Sequence, residues 1–253
     1  MFYFFSFLLG LAVGSFLNVL IYRLPHSLSL SGRSFCPKCK KKIFWQDNIP
    51  LLSFILLRGR CRFCHSPISW RYPLVELATG ILTVYSVQHT VHSGENLLFT
   101  IYYLLLIYAL IVVFVSDLKY QIIPDQIVYP VFMMSFVYNF ITNSQLLITN
   151  YLISALAAGL FFYLLFSITG GRGMGLGDVK LAALMGLFLG FPKIIIALYL
   201  AFLTGAIVGV ILVLVKKKKF GEHIPFGPFL SAATIISLFF GKVIWEKLVT
   251  VLL

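Results

Sequence analysis

Long apolar runs separated by short polar segments set the pattern of the chain. A helix crossing about 30 Å of hydrocarbon needs about 20 mostly apolar residues, and runs of that kind recur from end to end. They predict helices over approximately Met1–Tyr22, Pro73–Val91, Leu97–Ser116, Ile127–Ile141, Leu147–Ile168, Val179–Gly190, Ile194–Val215 and Phe229–Val249. The fourth and sixth are short, so the pattern supports seven or eight spans. No internal repeat and no low-complexity linker interrupts it. The expected fold is an all-α polytopic membrane protein of about eight transmembrane helices, with one sizeable polar segment, Arg23 to Tyr72, between the first two. Three parts follow: residues 1–22 as the first span, 23–72 as a loop domain, and 73–253 as a membrane-embedded domain.

Composition agrees with a bilayer as solvent. The chain is 60% hydrophobic and 11% charged, with a mean hydropathy of +0.98, whereas a soluble domain runs near half apolar and a quarter charged. Met1–Tyr22 lacks the basic start and the small-residue cleavage site of a secretory signal, so it is expected to remain as a membrane helix. The net charge of +12 raises nucleic acid as a partner, but no recognition module accompanies it. The basic residues cluster in a few segments between apolar runs, as topology signals do. With the N-terminus outside, Arg23, Arg33, Lys38, Lys40, Lys41, Lys42, Arg58, Arg60, Arg62, Arg71, Lys119, Arg172 and Lys216 to Lys219 fall inside. Lys180 lies at the same boundary, and only Lys193, Lys242 and Lys247 fall outside. Lys216 to Lys219 read as an inside anchor beside anionic lipid.

Fifty residues make a poor core without a staple, and residues 23–72 hold all four cysteines, as Cys36-Pro-Lys-Cys39 and Cys61-Arg-Phe-Cys64. Paired CxxC turns aim four sulfurs at one point and suit a structural zinc ion. Redox pairs and unmetallated thiols are the alternatives; an inside location disfavours disulfides. Four thiolates leave no open position for chemistry, so such a zinc folds the loop.

Among eight acidic residues, two stand at span boundaries on the same side. Asp117 follows the third span in Val-Ser-Asp-Leu-Lys-Tyr, and Asp178 opens the sixth in Gly-Leu-Gly-Asp-Val-Lys. An ionisable group there is costly and points to function. Two carboxylates at one depth can share a proton, one acting as acid while the other activates water, and they titrate as a unit. The alternatives are an N-cap at Asp178, an ion pair of Asp117 with Lys119 or Arg172, and a proton relay in a transporter. Glycines at 170, 171, 173, 175 and 177 exceed what a cap needs; a loop so rich in glycine can bend to present Asp178 and admit a peptide. Neither a GxSxG nor an HExxH motif is present.

These motifs, in this order, resemble the type IV prepilin peptidases, which are bifunctional leader peptidases and N-methyltransferases. The resemblance runs through Gly14-Ser-Phe-Leu-Asn-Val-Leu-Ile-Tyr-Arg-Leu-Pro25, the paired CxxC loop, Arg71-Tyr-Pro-Leu-Val-Glu-Leu77, Asp117 with Ile123-Pro-Asp125, and Gly175-Leu-Gly-Asp178. It implies that Asp117 and Asp178 are the catalytic aspartates, with Asp125 supporting its loop. It implies zinc at Cys36, Cys39, Cys61 and Cys64, and S-adenosylmethionine as the methyl source. Gly59 and Arg60 match a Gly-basic pair implicated in methyl transfer, although the family carries Lys where Arg60 stands. Glu76 lies in the first turn of the second span, where the helix dipole favours a carboxylate; supporting the methyl-transfer step is its alternative role. Prepilin or pseudopilin precursors are the implied substrates, and the implied location is a bacterial inner membrane with the active site facing the cytoplasm. Gly14, Ser15 and Asn18 are expected to serve close helix packing and an interhelical hydrogen bond.

Overall fold

The computed structural model describes residues 1–142, 145–171, 173–216 and 224–252. Eight long helices and one short one follow in order: α1 (Phe2–Arg23), α2 (Leu52–Leu56), α3 (Arg71–His92), α4 (Leu97–Tyr120), α5 (Asp125–Thr142), α6 (Gln145–Thr169), α7 (Leu176–Leu189), α8 (Lys193–Leu214) and α9 (Gly227–Leu252). A single 3₁₀ turn at Trp45–Asn48 precedes α2. The eight long helices coincide with the eight apolar runs. Five of them, α1, α4, α6, α8 and α9, are long and apolar enough to cross a membrane. Helix α3 is more polar, and α7, with 14 residues, spans only about 21 Å at 1.5 Å per residue.

Helix ends differ from the apolar run ends where polar residues continue the helical backbone. Helix α4 passes Ser116 and runs on through Asp117 to Tyr120; Gln121, at φ +54°, then ends it, its N–H donating to the Asp117 carbonyl. Asp117 therefore lies inside the last turn of α4 rather than beyond it. Helix α7 starts at Leu176, which puts Asp178 within its first turn.

The chain divides into two compact units, Met1–Val112 and Val113–Leu253. In the first, α1 packs antiparallel along α3, closely enough that small residues are obligatory. A side chain at Gly14 would place its Cβ 2.8 Å from the Glu76 Cα. The Asn18 amide donates to the Tyr72 carbonyl at 3.1 Å, joining the two helices as the sequence pattern anticipates. Arg23, buried at the end of α1, donates to the carbonyls of Ser29, Ser31, Gly32 and Arg33. Those four acceptors satisfy a buried charge and pin the start of the 23–72 segment under the helix pair.

In the second unit α7 is central, with α5, α6, α8 and α9 against it, and Leu181, Ala182 and Leu184–Leu189 are buried. A short helix reads apolar on all sides because neighbours surround it. Gly186 is the point of closest approach to α6, where any Cβ would clash with the Ser154 carbonyl and the Ala155 backbone. Asn139 of α5 donates to the Leu187 carbonyl at 2.9 Å, near the far end of α7.

Candidate active site and metal centre

Asp117 and Asp178 both belong to the second unit and both are buried, at 6% and 5% exposure. Each has one carboxylate oxygen held by a backbone N–H at the start of a helix. Asp178 Oδ2 accepts from Gly175 N at 3.0 Å, closing the first turn of its own helix. Asp117 Oδ2 accepts from Gly227 N at 2.9 Å, the first residue of α9 and 110 positions away. Helix N-termini carry unsatisfied N–H groups and partial positive charge, which favour a carboxylate. The charge on Asp117 acts on Asp178, so the two groups lie within electrostatic reach. Asp178 Oδ1 is buried with no hydrogen-bond partner among the described residues. A buried acceptor left over in this way suits a water molecule or a shared proton.

The cap reading of Asp178 and the dyad reading thus coexist in one carboxylate, because capping engages one oxygen and leaves the other. Asp125, at the first position of α5, pairs with Lys180 of α7 at 2.8 and 3.0 Å. This exposed pair links the starts of α5 and α7 beside Asp178. A Cβ on Gly177 would meet Ile123 at 3.1 Å, so glycine lets the loop before α5 lie against the turn that carries Asp178. Lys119 lies over the Tyr120 ring. The suggested partner Arg172, and Lys217 to Lys219 of the basic anchor, lie outside the described residues.

In the first unit, Cys36, Cys39, Cys61 and Cys64 converge, all four Sγ atoms lying within 4.8 Å of one another. Two equivalent knuckles bring them there. In one, Cys36 N donates to the Lys41 carbonyl and Lys40 N to the Cys36 carbonyl; in the other, Cys61 N donates to Ser66 and His65 N to Cys61. Lys40 and His65 occupy the same left-handed position, φ +59° and +54°. Cys36 Sγ and Cys64 Sγ are 3.8 Å apart, far beyond a disulfide bond of about 2.05 Å. That spacing equals the edge of a tetrahedron with metal–sulfur bonds of about 2.3 Å. The Ser66 hydroxyl lies 3.2 Å from Cys64 Sγ. The four-cysteine cluster could thus hold a metal ion.

Comparison with known proteins follows the same two-part plan. The bacterial peptidase A24 N-terminal domain matches residues 8–90, and the type IV leader peptidase family matches residues 104–210. A prepilin leader peptidase/N-methyltransferase of Aeromonas hydrophila is 37% identical over 93% of this chain and 89% of its own length. The chain belongs to the type IV leader peptidase family. Relatives of the same name in Legionella pneumophila and Pseudomonas aeruginosa are 36% and 33% identical, each over 92% of this chain and 90% and 89% of their own lengths. No solved structure matches the chain significantly.

In this leader peptidase chain, the residues that the resemblance links to methyl transfer fall in the first unit. Gly59, at φ +65°, forms the turn that ends α2, its N–H donating to the Phe54 carbonyl. With Arg58 and Arg60 it lines a cleft of about 680 Å³ whose walls include Phe54, Ile55, Trp70 and Leu74. Glu76 does not line that cleft. Its Oε2 accepts from Leu51 N at 2.9 Å, holding Leu51 in a left-handed conformation at the start of α2.

Gly227 and Arg23 escape a reading of the sequence as functional or structural anchors. The signal for Gly227 is present in Ile224-Pro-Phe-Gly-Pro228, a helix start marked by proline, but nothing local says that its N–H meets Asp117.

Proposed function

We propose that this chain cleaves the leader peptide of type IV prepilin-like and pseudopilin precursors, at the cytoplasmic face of a bacterial inner membrane, and N-methylates the new N-terminus. The observation that carries the peptidase reading is the pair of buried carboxylates in one helical unit, each tethered through a single oxygen to a helix N-terminus. The names of the relatives support both activities, and no observation favours the transporter alternative.

In the proposed mechanism one carboxylate of the pair is ionised and takes a proton from a water molecule. The water oxygen bonds to the scissile carbonyl carbon. The protonated partner then gives its proton to the leaving amine as the C–N bond breaks. The two backbone tethers keep both groups in place through the cycle, and burial strengthens their interaction. Cys36, Cys39, Cys61 and Cys64 would hold a zinc ion, which would supply a structural cross-link fixing the loop.

The cleft beside Gly59 does not fit S-adenosylmethionine. Its charged lining groups, Arg58 and Arg60, could meet the methionine carboxylate, but no carboxylate lines the cleft to offset the ammonium and sulfonium cations or to receive the ribose diol. We therefore derive no methyl-transfer step through it. Gly59 and Glu76 are instead assigned to the turn and the entry of α2. Loss of methylation with cleavage intact in Gly59→Ser would tie the α2 turn to methyl transfer; unchanged methylation would leave Gly59 to the turn alone.

The deciding experiment is cleavage of a type IV prepilin in liposomes by wild type, Asp117→Asn and Asp178→Asn. Asn keeps the shape and removes the titrating carboxyl. Both variants are expected to fold and to lose cleavage by at least about 10³-fold, in the range of an essential acid–base pair. Normal cutting by either one would return that residue to a capping role.

A further inference from the structure

Outside the two centres, the most unusual surface in the first unit is built by α2 and the start of α3. Leu52, Ile55 and Leu56 make α2 almost wholly apolar, yet they are 57%, 69% and 79% exposed. Trp70 is exposed and packs against Phe54 with ring centroids 4.9 Å apart. From there a row of exposed apolar side chains, Leu74, Leu77, Ile81 and Tyr85, continues along α3. The opposite face of α3 is the one packed on α1, so this row is its outward face. An apolar patch that continues onto the outward face of a membrane helix belongs at a bilayer interface, where Trp is also favoured.

The cleft of about 680 Å³ opens within this patch. Its walls are apolar, and its charged lining residues are Arg58 and Arg60 alone. Arg62, the next basic residue, is already engaged by Asp47 in a two-pronged ion pair. Two exposed arginines lining an apolar cleft that no carboxylate lines complement a molecule with an anionic head and a hydrocarbon tail. They would repel a basic peptide segment, which disfavours such a ligand by charge.

We propose that this cleft seats an anionic phospholipid, with its phosphate at Arg58 and Arg60 and an acyl chain along Ile55, Trp70, Leu74 and Leu77. The bound lipid draws α2 onto the membrane surface and thereby orients the cysteine-bearing loop relative to the bilayer. The inference rests on the membrane reading of α3 and is independent of the peptidase assignment, since its readout is contact with lipid rather than cleavage.

The test uses the full chain in nanodiscs, with Trp45 and Trp245 replaced by Phe so that Trp70 is the single fluorophore. Dibrominated phosphatidylglycerol or dibrominated phosphatidylcholine is introduced at the same minor fraction in a phosphatidylcholine bilayer. Each arginine near a membrane surface is worth about a fivefold preference for anionic lipid. The half-quenching fraction is therefore expected to be about 25-fold lower for the brominated phosphatidylglycerol. Arg58→Gln with Arg60→Gln is expected to abolish that difference, whereas Arg33→Gln, in the same loop but outside the cleft, is expected to keep it. Ile55→Asp is expected to weaken quenching by both lipids. Equal quenching by the two lipids in the parent protein overturns the proposal, as does selectivity that survives the double arginine variant. Absence of selectivity combined with protection of Trp70 by an added prepilin would assign the face to substrate and overturn it as well.

Discussion

Asp117 owes its position to a residue with no side chain. Gly227 brings its N–H to Asp117 Oδ2, and a Cβ built there would stand 2.7 Å from the same oxygen. Gly227→Ala keeps the donor but pushes the carboxylate away, a displacement of several tenths of an ångström at the reacting group. Misplacement of about 1 Å can cost about 10²-fold in rate, so prepilin cleavage by Gly227→Ala is expected to fall by about 10- to 100-fold. Thermal stability in detergent should change little, which separates misplacement from unfolding. The Asp125–Lys180 pair behaves differently, because both side chains reach solvent at 50% and 34% exposure. Asp125→Asn is expected to cost only about 0.2–1 kcal/mol and to leave cleavage nearly intact. At this scale the sequence announces the two aspartates, because carboxylates are rare in an apolar chain. It does not announce their tethers, since a backbone N–H leaves no mark in the residue type, and Gly227 lies 110 positions from the group it holds.

At the scale of elements, the apolar runs locate all eight long helices, because hydrocarbon thickness sets their length. The helix ends shift where physical causes other than hydropathy act. Helix α4 continues through Asp117 and Lys119 because helical hydrogen bonding does not require apolar residues, and α7 begins early because Asp178 closes its first turn. Helix α2 is hidden in the sequence by its shortness, and its exposed leucines become meaningful only beside Trp70 and α3. The cysteine spacing predicts the two knuckles, and their hydrogen bonds repeat residue for residue. Cys36→Ser removes a ligand and leaves three; bound zinc, measured by elemental analysis on the purified protein, is expected to drop from about one per chain to a small fraction. Full metal content in that variant would argue against a four-thiolate site. Where α6 and α7 cross, Gly186→Ala forces a methyl group into the Ser154 carbonyl and is expected to destabilise the second unit by about 1–3 kcal/mol, read as a lower unfolding midpoint.

At the scale of the molecule, the division into Met1–Val112 and Val113–Leu253 separates the metal-binding loop from the two aspartates. Removing metal with a chelator is therefore expected to expose the segment around residues 33–68 to proteolysis while the helices of the second unit keep their circular dichroism signal. Loss of helicity throughout the chain would mean that the two units do not melt separately. The same division explains why the family resemblance is legible over nearly the whole sequence although the function of individual loop residues is not. Motifs mark both units, but the cleft beside Gly59 is formed by residues spread from 51 to 77, whose convergence no local motif announces.

The tether between Asp117 and Gly227 also has a consequence in time. A ribosome makes Asp117 long before Gly227, so four further long helices, α5 to α8, are synthesised while that carboxylate still lacks its backbone donor. A chain ending at residue 216 would carry both aspartates without that donor, and its prepilin cleavage is expected to fall well below that of the full chain.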